Sequence, residues 1–337
     1  MAILLIDAVR AFLSGIEGQQ IDVATLRKEL HLDPNGKEWD NIHSVLKRLV
    51  EQKVIKSASK RSGEYKVVVP IIPVNWWDDS GTDEALDFRF PRSYDDGAEV
   101  SSFGIEELVE VFAGDMILVT GRSNYGKTAI ALSIMGENLD LMPANLMGSE
   151  YTAADGKISP KFRRRMKRMK WVEWMKDGKP RFQLLPVGSD YEDYVVVDCI
   201  NVIDWISLPG EYYLIDTVMK AIKDRIGNGI AVVVLQKNKD QEFGEGGERT
   251  QRYADVELRI DAFGDNESLL TIGKVKSPKG RATGRMWAFS VVDWGANLHN
   301  IREMVKCHTC WGKGYVRSGS NSVRCSSCNG KKYTEKT

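Results

Sequence analysis

The chain of 337 residues has no apolar run long enough to span a bilayer, and its first residues show neither a charged leader region nor a small-residue cleavage site. A cytoplasmic, membrane-free protein is therefore expected. Net charge is lacking too: 47 basic residues balance 47 acidic ones, which excludes a bulk electrostatic pull toward nucleic acid. Cysteine is scarce. Of the five, Cys199 stands alone in an apolar stretch and four form two close pairs near residue 337, a pattern that in a reducing compartment favours a metal over disulfides.

What charge there is comes in blocks. Twelve acids stand against two arginines between Asp78 and Asp115, whereas residues 161–170 carry seven basic side chains. Only such local patches can be interpreted. The length calls for two or three domains, read as residues 1–70, an acidic linker at 71–102, a core at 103–300 and a cysteine-bearing module at 301–337.

Residues 114–135 read as an apolar strand, a glycine-bounded loop and an apolar helix. Within them Gly121-Arg122-Ser123-Asn124-Tyr125-Gly126-Lys127-Thr128 satisfies the phosphate-loop pattern at every required position. Glycines let the backbone wrap a phosphate, successive N–H groups make an anion-binding concavity, and the helix start adds its positive end. Lys127 is placed to reach the outer phosphates of ATP and the Thr128 hydroxyl to ligate Mg²⁺.

Before this stretch, three short helices and a hairpin tipped by Lys60 and Arg61 suggest a winged helix-turn-helix, with Asp22 capping the second helix. Lys37, Asn41, His43, Ser44 and Lys47 of the third helix face outward. Such a domain serves either DNA contact or protein docking. The linker carries Trp76 and Trp77, which are expected to dock onto a neighbouring surface.

From residue 103 to residue 294 strand and helix signals alternate, which calls for an α/β fold with a parallel sheet covered on both faces. Ligands of such sheets lie at the carboxyl ends of the strands, and Glu150, Asp198 and Gln236 all fall at expected strand ends. Asp198, after three valines, has the form of a Mg²⁺-holding acid, the alternative being a strand-end cap. Glu150 suits the base that orients the attacking water, although a surface acid would look the same. Residues 163–170, within a helix expected over residues 162–175, and the glycine-rich loop 239–252 are candidates for gripping DNA. The first is equally readable as a solvated cationic face, and its Trp171 and Trp174 would support base stacking only if exposed.

The order of these pieces resembles the RecA-like core of the replicative DnaB-type helicases: Gly114-Asp-Met-Ile, the phosphate loop, Ser149-Glu150, Asp198, Leu235-Gln236, and then Lys274-Val-Lys276-Ser-Pro-Lys-Gly-Arg281. The resemblance implies catalytic Glu150 and a γ-phosphate-sensing Gln236. It also implies cations near Lys274 and Lys276 that complete a neighbour's site in a filament or a ring such as a hexamer, with Lys276, Arg281 or Arg285 as the finger. It implies ATP-driven helicase or translocase work on single-stranded DNA in replication, alongside replication partners. The chain departs from that family in carrying Lys276 where arginine is usual and a winged-helix-like domain in place of the N-terminal collar. By association, the combination suggests a phage or mobile-element replication factor. Two other functions stay open: a filament-forming recombinase or recombination mediator, and an ATP-dependent switch that binds proteins.

Cys307-His-Thr-Cys310 and Cys325-Ser-Ser-Cys328, fourteen residues apart, suit one tetrahedral Zn²⁺ in a closed structural site, with His308 a bystander. Each pair is followed by a glycine two residues on, similar to the zinc-binding repeat of DnaJ-type cochaperones.

Overall fold

The structure is a computed structural model that describes residues 5–58, 63–70, 84–153, 155–208, 210–238, 241, 243–318 and 321–336. Lys60, Arg61, Trp76, Trp77 and Lys239 lie outside the described residues. Two compact units divide the chain, Met1–Thr82 and Asp83–Thr337.

In the first unit, α1 (Leu5–Leu13), β1 (Gln20–Asp22), α2 (Val23–Glu29), α3 (Lys37–Glu51), β2 (Ile55–Ser57) and β3 (Glu64–Val67) form three helices and a small sheet of order β1-β3-β2. Asp22 caps α2, its carboxylate accepting the Thr25 N–H at 2.7 Å. The i, i+4, i+7 spacing of Ile42, Leu46 and Leu49 turns one face of α3 onto Val9, Leu13 and Leu26, and all six are buried. Lys37, Asn41, His43, Ser44 and Lys47 on the opposite face are exposed.

The second unit opens with the hairpin β4 (Arg92–Asp95) and β5 (Ala98–Ser102). Phe88, Phe90 and Phe103, around that hairpin, are buried in the core, so the later part of the stretch expected to be a linker belongs to the core domain. Acids mask this in sequence. Arg92 accounts for two of them, with ion pairs to Glu99 at 2.7 Å and Glu106 at 2.5 Å.

The central elements are β6 (Met116–Gly121), α4 (Lys127–Glu137), β7 (Ala144–Met147), α5 (Pro160–Arg168), the two-residue strands β8 (Met175–Lys176) and β9 (Lys179–Pro180), β10 (Phe182–Leu185), β11 (Ile200–Ile203), α6 (Ile215–Arg225) and β12 (Ile230–Gln236). They continue with β13 (Val256–Phe263), β14 (Glu267–Val275), β15 (Met286–Val292), β16 (Asn297–Lys306), β17 (Tyr315–Ser318), β18 (Asn321–Arg324) and β19 (Tyr333–Glu335). Ten strands make one sheet in the order β10-β7-β11-β12-β6-β13-β14-β15-β16-β19. The expected α/β architecture is present: β10 through β13 are mutually parallel, and the last four strands are added antiparallel.

Alternation along β6 explains the layering. Ile117 and Val119 face the side covered by α4, where they meet Ile130 and Ile134, while Met116 and Leu118 face Met219 and Ile222 of α6. Both faces are apolar, so the central strands read as unbroken hydrophobic runs.

Three expectations are corrected here. Residues 194–198 are not a buried strand: Tyr194 and Val197 are exposed, and β11 begins only at Ile200. The cause is Asn201, whose side chain bonds both the N–H and the C=O of Val196 and folds the valine run back on itself. The helix expected over residues 162–175 ends at Arg168, after which Trp171 stacks on Tyr94 at 4.4 Å and Trp174 donates to the Met166 carbonyl; neither indole is free to stack a base. Lastly, β16 runs across the expected boundary at residue 300, and β19 pairs with it, so the cysteine module is sewn to the edge of the main sheet.

Candidate nucleotide site and cysteine cluster

Strands β7 and β11 end together, Met147 beside Ile203, and β12 and β6 end together, Gln236 beside Gly121, three residues beyond the point where Val233 of β12 pairs with Ile203. A cleft opens at these carboxyl ends. Its volume is about 380 Å³, and its lining includes Lys127, Thr128, Glu150, Asp204 and Gln236. Gly126 takes φ 96° to turn the loop into α4, and a side chain there would also strike Val291 at 2.7 Å. Lys127 is buried and donates from Nζ to the Arg122 carbonyl at 2.8 Å, which holds its amine over the loop. Burial pushes its ammonium below the usual range, against the fields of Asp204, Glu150 and Glu245.

Asp204, not Asp198, is the acid at the tip of β11. Asp198 precedes that strand at the far end of the sheet, in the left-handed region, and its carboxylate accepts the Asn228 N–H at 2.8 Å. It is the strand-end cap, out of reach of the loop. Asp204 is buried beside the Thr128 side chain, and its Oδ2 accepts the Tyr151 hydroxyl while Oδ1 has no hydrogen-bond partner. Burial pushes this carboxyl above the usual range, with bonds from Tyr151 and Thr128 and the charge of Lys127 acting the other way. A buried carboxylate oxygen left open next to a threonine hydroxyl fits a hard divalent cation such as Mg²⁺.

Glu150 sits in the turn Ser149–Tyr151 after β7, exposed to the cleft, with the Trp205 indole N–H 3.5 Å from its Oε1. The preceding Gly148 is needed because a Cβ there would lie 2.4 Å from the Asp204 carbonyl. Of the loop side chains, Ser123 and Asn124 line the cleft; Arg122 lies instead over the Tyr125 ring, and the Tyr125 carbonyl accepts the Ser268 hydroxyl.

Two lining residues had no sequence signal of their own. Arg165 of α5 donates from Nε to the carbonyl of Trp294, whose indole is 71% exposed and flanked by Arg164 and Arg168. The basic helix thus sends one arginine into the cleft. Lys274 and Lys276 lie at the opposite end of β6 and cannot act on their own chain's loop. Lys274 donates to the Gln251 carbonyl at 2.5 Å, and Lys276 pairs at 2.7 Å with Asp255, which also accepts the Met116 N–H. Arg281 is exposed and has no ion pair among the described residues.

The four cysteines Cys307, Cys310, Cys325 and Cys328 are buried, with their sulfur atoms all within 4.8 Å of one another. Sγ separations of 3.8 Å (Cys307–Cys325) and 3.6 Å (Cys310–Cys328) match the roughly 3.8 Å edge of a tetrahedron with Zn–S bonds of about 2.3 Å. The Gly314 N–H reaches Cys310 Sγ at 3.2 Å, and His308 is exposed outside the cluster. The set fits a closed, structural Zn²⁺ site.

Among the described residues no helix is long and apolar enough to cross a membrane. No protein-family model and no curated protein matches the chain. Among solved structures it is similar to a KaiC-like protein from the hyperthermophilic archaeon Pyrococcus horikoshii OT3, with 15% identity and a TM-score of 0.45 over 63% of this chain and 98% of that one.

Proposed function

We propose that the chain is a RecA-like ATP hydrolase that works on single-stranded DNA as a helicase or translocase, assembled as a homo-oligomeric ring. The observation that carries the ATPase reading is the convergence of Lys127, Thr128, Asp204, Glu150 and Gln236 on one cleft at the carboxyl ends of parallel strands. Mg²⁺ held by Thr128 and Asp204 would supply charge neutralisation of the outer phosphates. Lys127 binds the same oxygens, Glu150 takes the proton of the attacking water, and Gln236 reports the γ-phosphate to the loop that follows β12. A homo-oligomer would let Lys274, Lys276 or Arg281, which lie away from their own chain's loop, meet a neighbour's phosphates; Arg281, exposed and without an ion pair among the described residues, is the best placed to act as the finger.

The test is ATP turnover with and without single-stranded DNA, together with the mass of the assembled particle. Turnover that rises with DNA in a multi-subunit particle is expected. A monomer with DNA-independent turnover would remove the motor reading and leave the ATPase.

A further inference from the structure

A second cleft, of about 720 Å³, opens on the other side of the phosphate loop. Four separate stretches supply its charged lining: Arg122 from the loop, Lys237 after β12, Arg259 and Asp261 from β13, and Lys331 with Lys332 from the second cysteine knuckle. Five cations thus face one carboxylate. That carboxylate is already engaged, since Asp261 pairs with the buried Lys237 at 2.5 Å, and Arg259 is held by Glu257 at 2.9 Å. Arg122, Lys331 and Lys332 have no ion pair among the described residues, so the cleft is left cationic. Beside the charges lies the half-buried ring of Tyr333, 6.5 Å from Phe263, which is itself buried 5.3 Å beneath the Lys331 ammonium.

We propose that this cleft seats the phosphodiester backbone of a nucleic-acid strand, gripped jointly by the phosphate loop and the cysteine module. The inference rests on the single-stranded DNA reading above and gives it a site. Spaced cations beside the partly exposed Tyr333 ring suit a chain that alternates phosphates with flat bases. An acidic peptide would use the cations and leave the Tyr333 ring without a stacking partner. The position also links the two clefts physically. Gln236 and Lys237 are consecutive, and Gln236 lines the nucleotide cleft while Lys237 lines this one, so a shift of the β12 tip on nucleotide turnover moves a cation under the strand. Arg122 does the same from within the loop whose next residues face the triphosphate. The cysteine module then has a purpose beyond local stability: it closes the cleft with a rigid pair of lysines.

The experiment uses the full chain with bound zinc and a dye-labelled oligothymidylate, read by fluorescence anisotropy over a salt series. The double variant Lys331→Glu/Lys332→Glu should bind at least about tenfold more weakly. Its log–log salt slope should be shallower by about 1.4, two phosphate contacts at about 0.7 each on a single strand. If that variant loses its zinc, Lys331→Gln/Lys332→Gln replaces it, with the same expected change in slope. Wild-type protein that binds the strand, with variants of unchanged affinity and slope, overturns the site and leaves the proposed function standing. Equal wild-type binding of polyglutamate, lost in the same variants, overturns the phosphodiester assignment. ATP turnover without any oligonucleotide binding overturns the site and the DNA-directed function together, while the ATPase survives.

Discussion

Asp204 and Asp198 lie six residues apart at opposite ends of β11, and replacing each by asparagine separates the roles that the structure gives them. In Asp204→Asn the side-chain volume is kept, and the amide oxygen can still accept the Tyr151 hydroxyl. Because the carboxyl is 4% exposed and burial disfavours its charged form, losing that charge should leave the melting temperature unchanged or raise it. The cation site should suffer instead. Several kcal/mol of charge stabilisation pass through a catalytic metal, and each 1.36 kcal/mol is tenfold in rate, so turnover at saturating ATP should fall about 100- to 1000-fold, with a raised Mg²⁺ requirement. Asp198→Asn keeps an amide oxygen that can accept the exposed bond from the Asn228 N–H, so its effect on stability should stay below the roughly 0.5–1.5 kcal/mol that such a bond is worth, and it should turn over ATP normally. The assay is phosphate release against Mg²⁺ concentration, with thermal melting of each variant. Activity kept by Asp204→Asn and lost by Asp198→Asn would refute the placement of the acid and, with it, the course assigned to β11.

Other substitutions test other parts of the molecule. Lys127→Ala should abolish ATP binding or turnover, whereas Glu150→Gln should retain ATP and lose hydrolysis; normal turnover in the latter would take Glu150 out of the reaction. Glu137, at the end of α4, bonds the Tyr94 hydroxyl at 2.7 Å, and burial carries its carboxyl from 4.5 up to about 7. The unfolded chain therefore releases this proton first, so stability should fall by on the order of 3 kcal/mol as pH rises from about 4.5 to 7 and then level off. Urea melts of Glu137→Gln should lack that decline. Purified protein should carry one zinc per chain, and Cys325→Ser should lose it together with the pairing of β19 on β16, read as a lower melting temperature; unchanged melting without metal would deny the site its structural role. In the first unit Leu46, fully buried between helices, should cost 2–5 kcal/mol on change to alanine, with the roughly 2 kcal/mol floor checked by denaturant unfolding.

The phosphate loop and the cysteine pairs could be read from the sequence because their chemistry is local. Residues 121–128 wrap an anion with consecutive N–H groups, and each cysteine pair places two sulfurs within a single turn, so spacing alone specifies the geometry. The positions of Gln236 and Glu150 at the cleft could be read for a related reason: Gln236 ends an apolar strand and Glu150 lies three residues after one. The acid of β11 could not. Two acids follow two apolar runs, and the choice depends on Asn201, a buried polar residue whose bonds to Val196 set where the strand begins. Only tertiary contacts decide which of two similar runs enters a sheet. The same holds for Arg165, one of seven basic residues in ten, which reaches the nucleotide cleft only because α5 packs against the turn at Trp294. It holds for Lys331 and Lys332 as well, brought beside Arg122 from more than 200 positions away by β19 adding to the edge of the sheet. Short-range spacing carries the chemistry that neighbours in the chain can build; the placement of distant charges around one cleft is decided by how the strands are ordered.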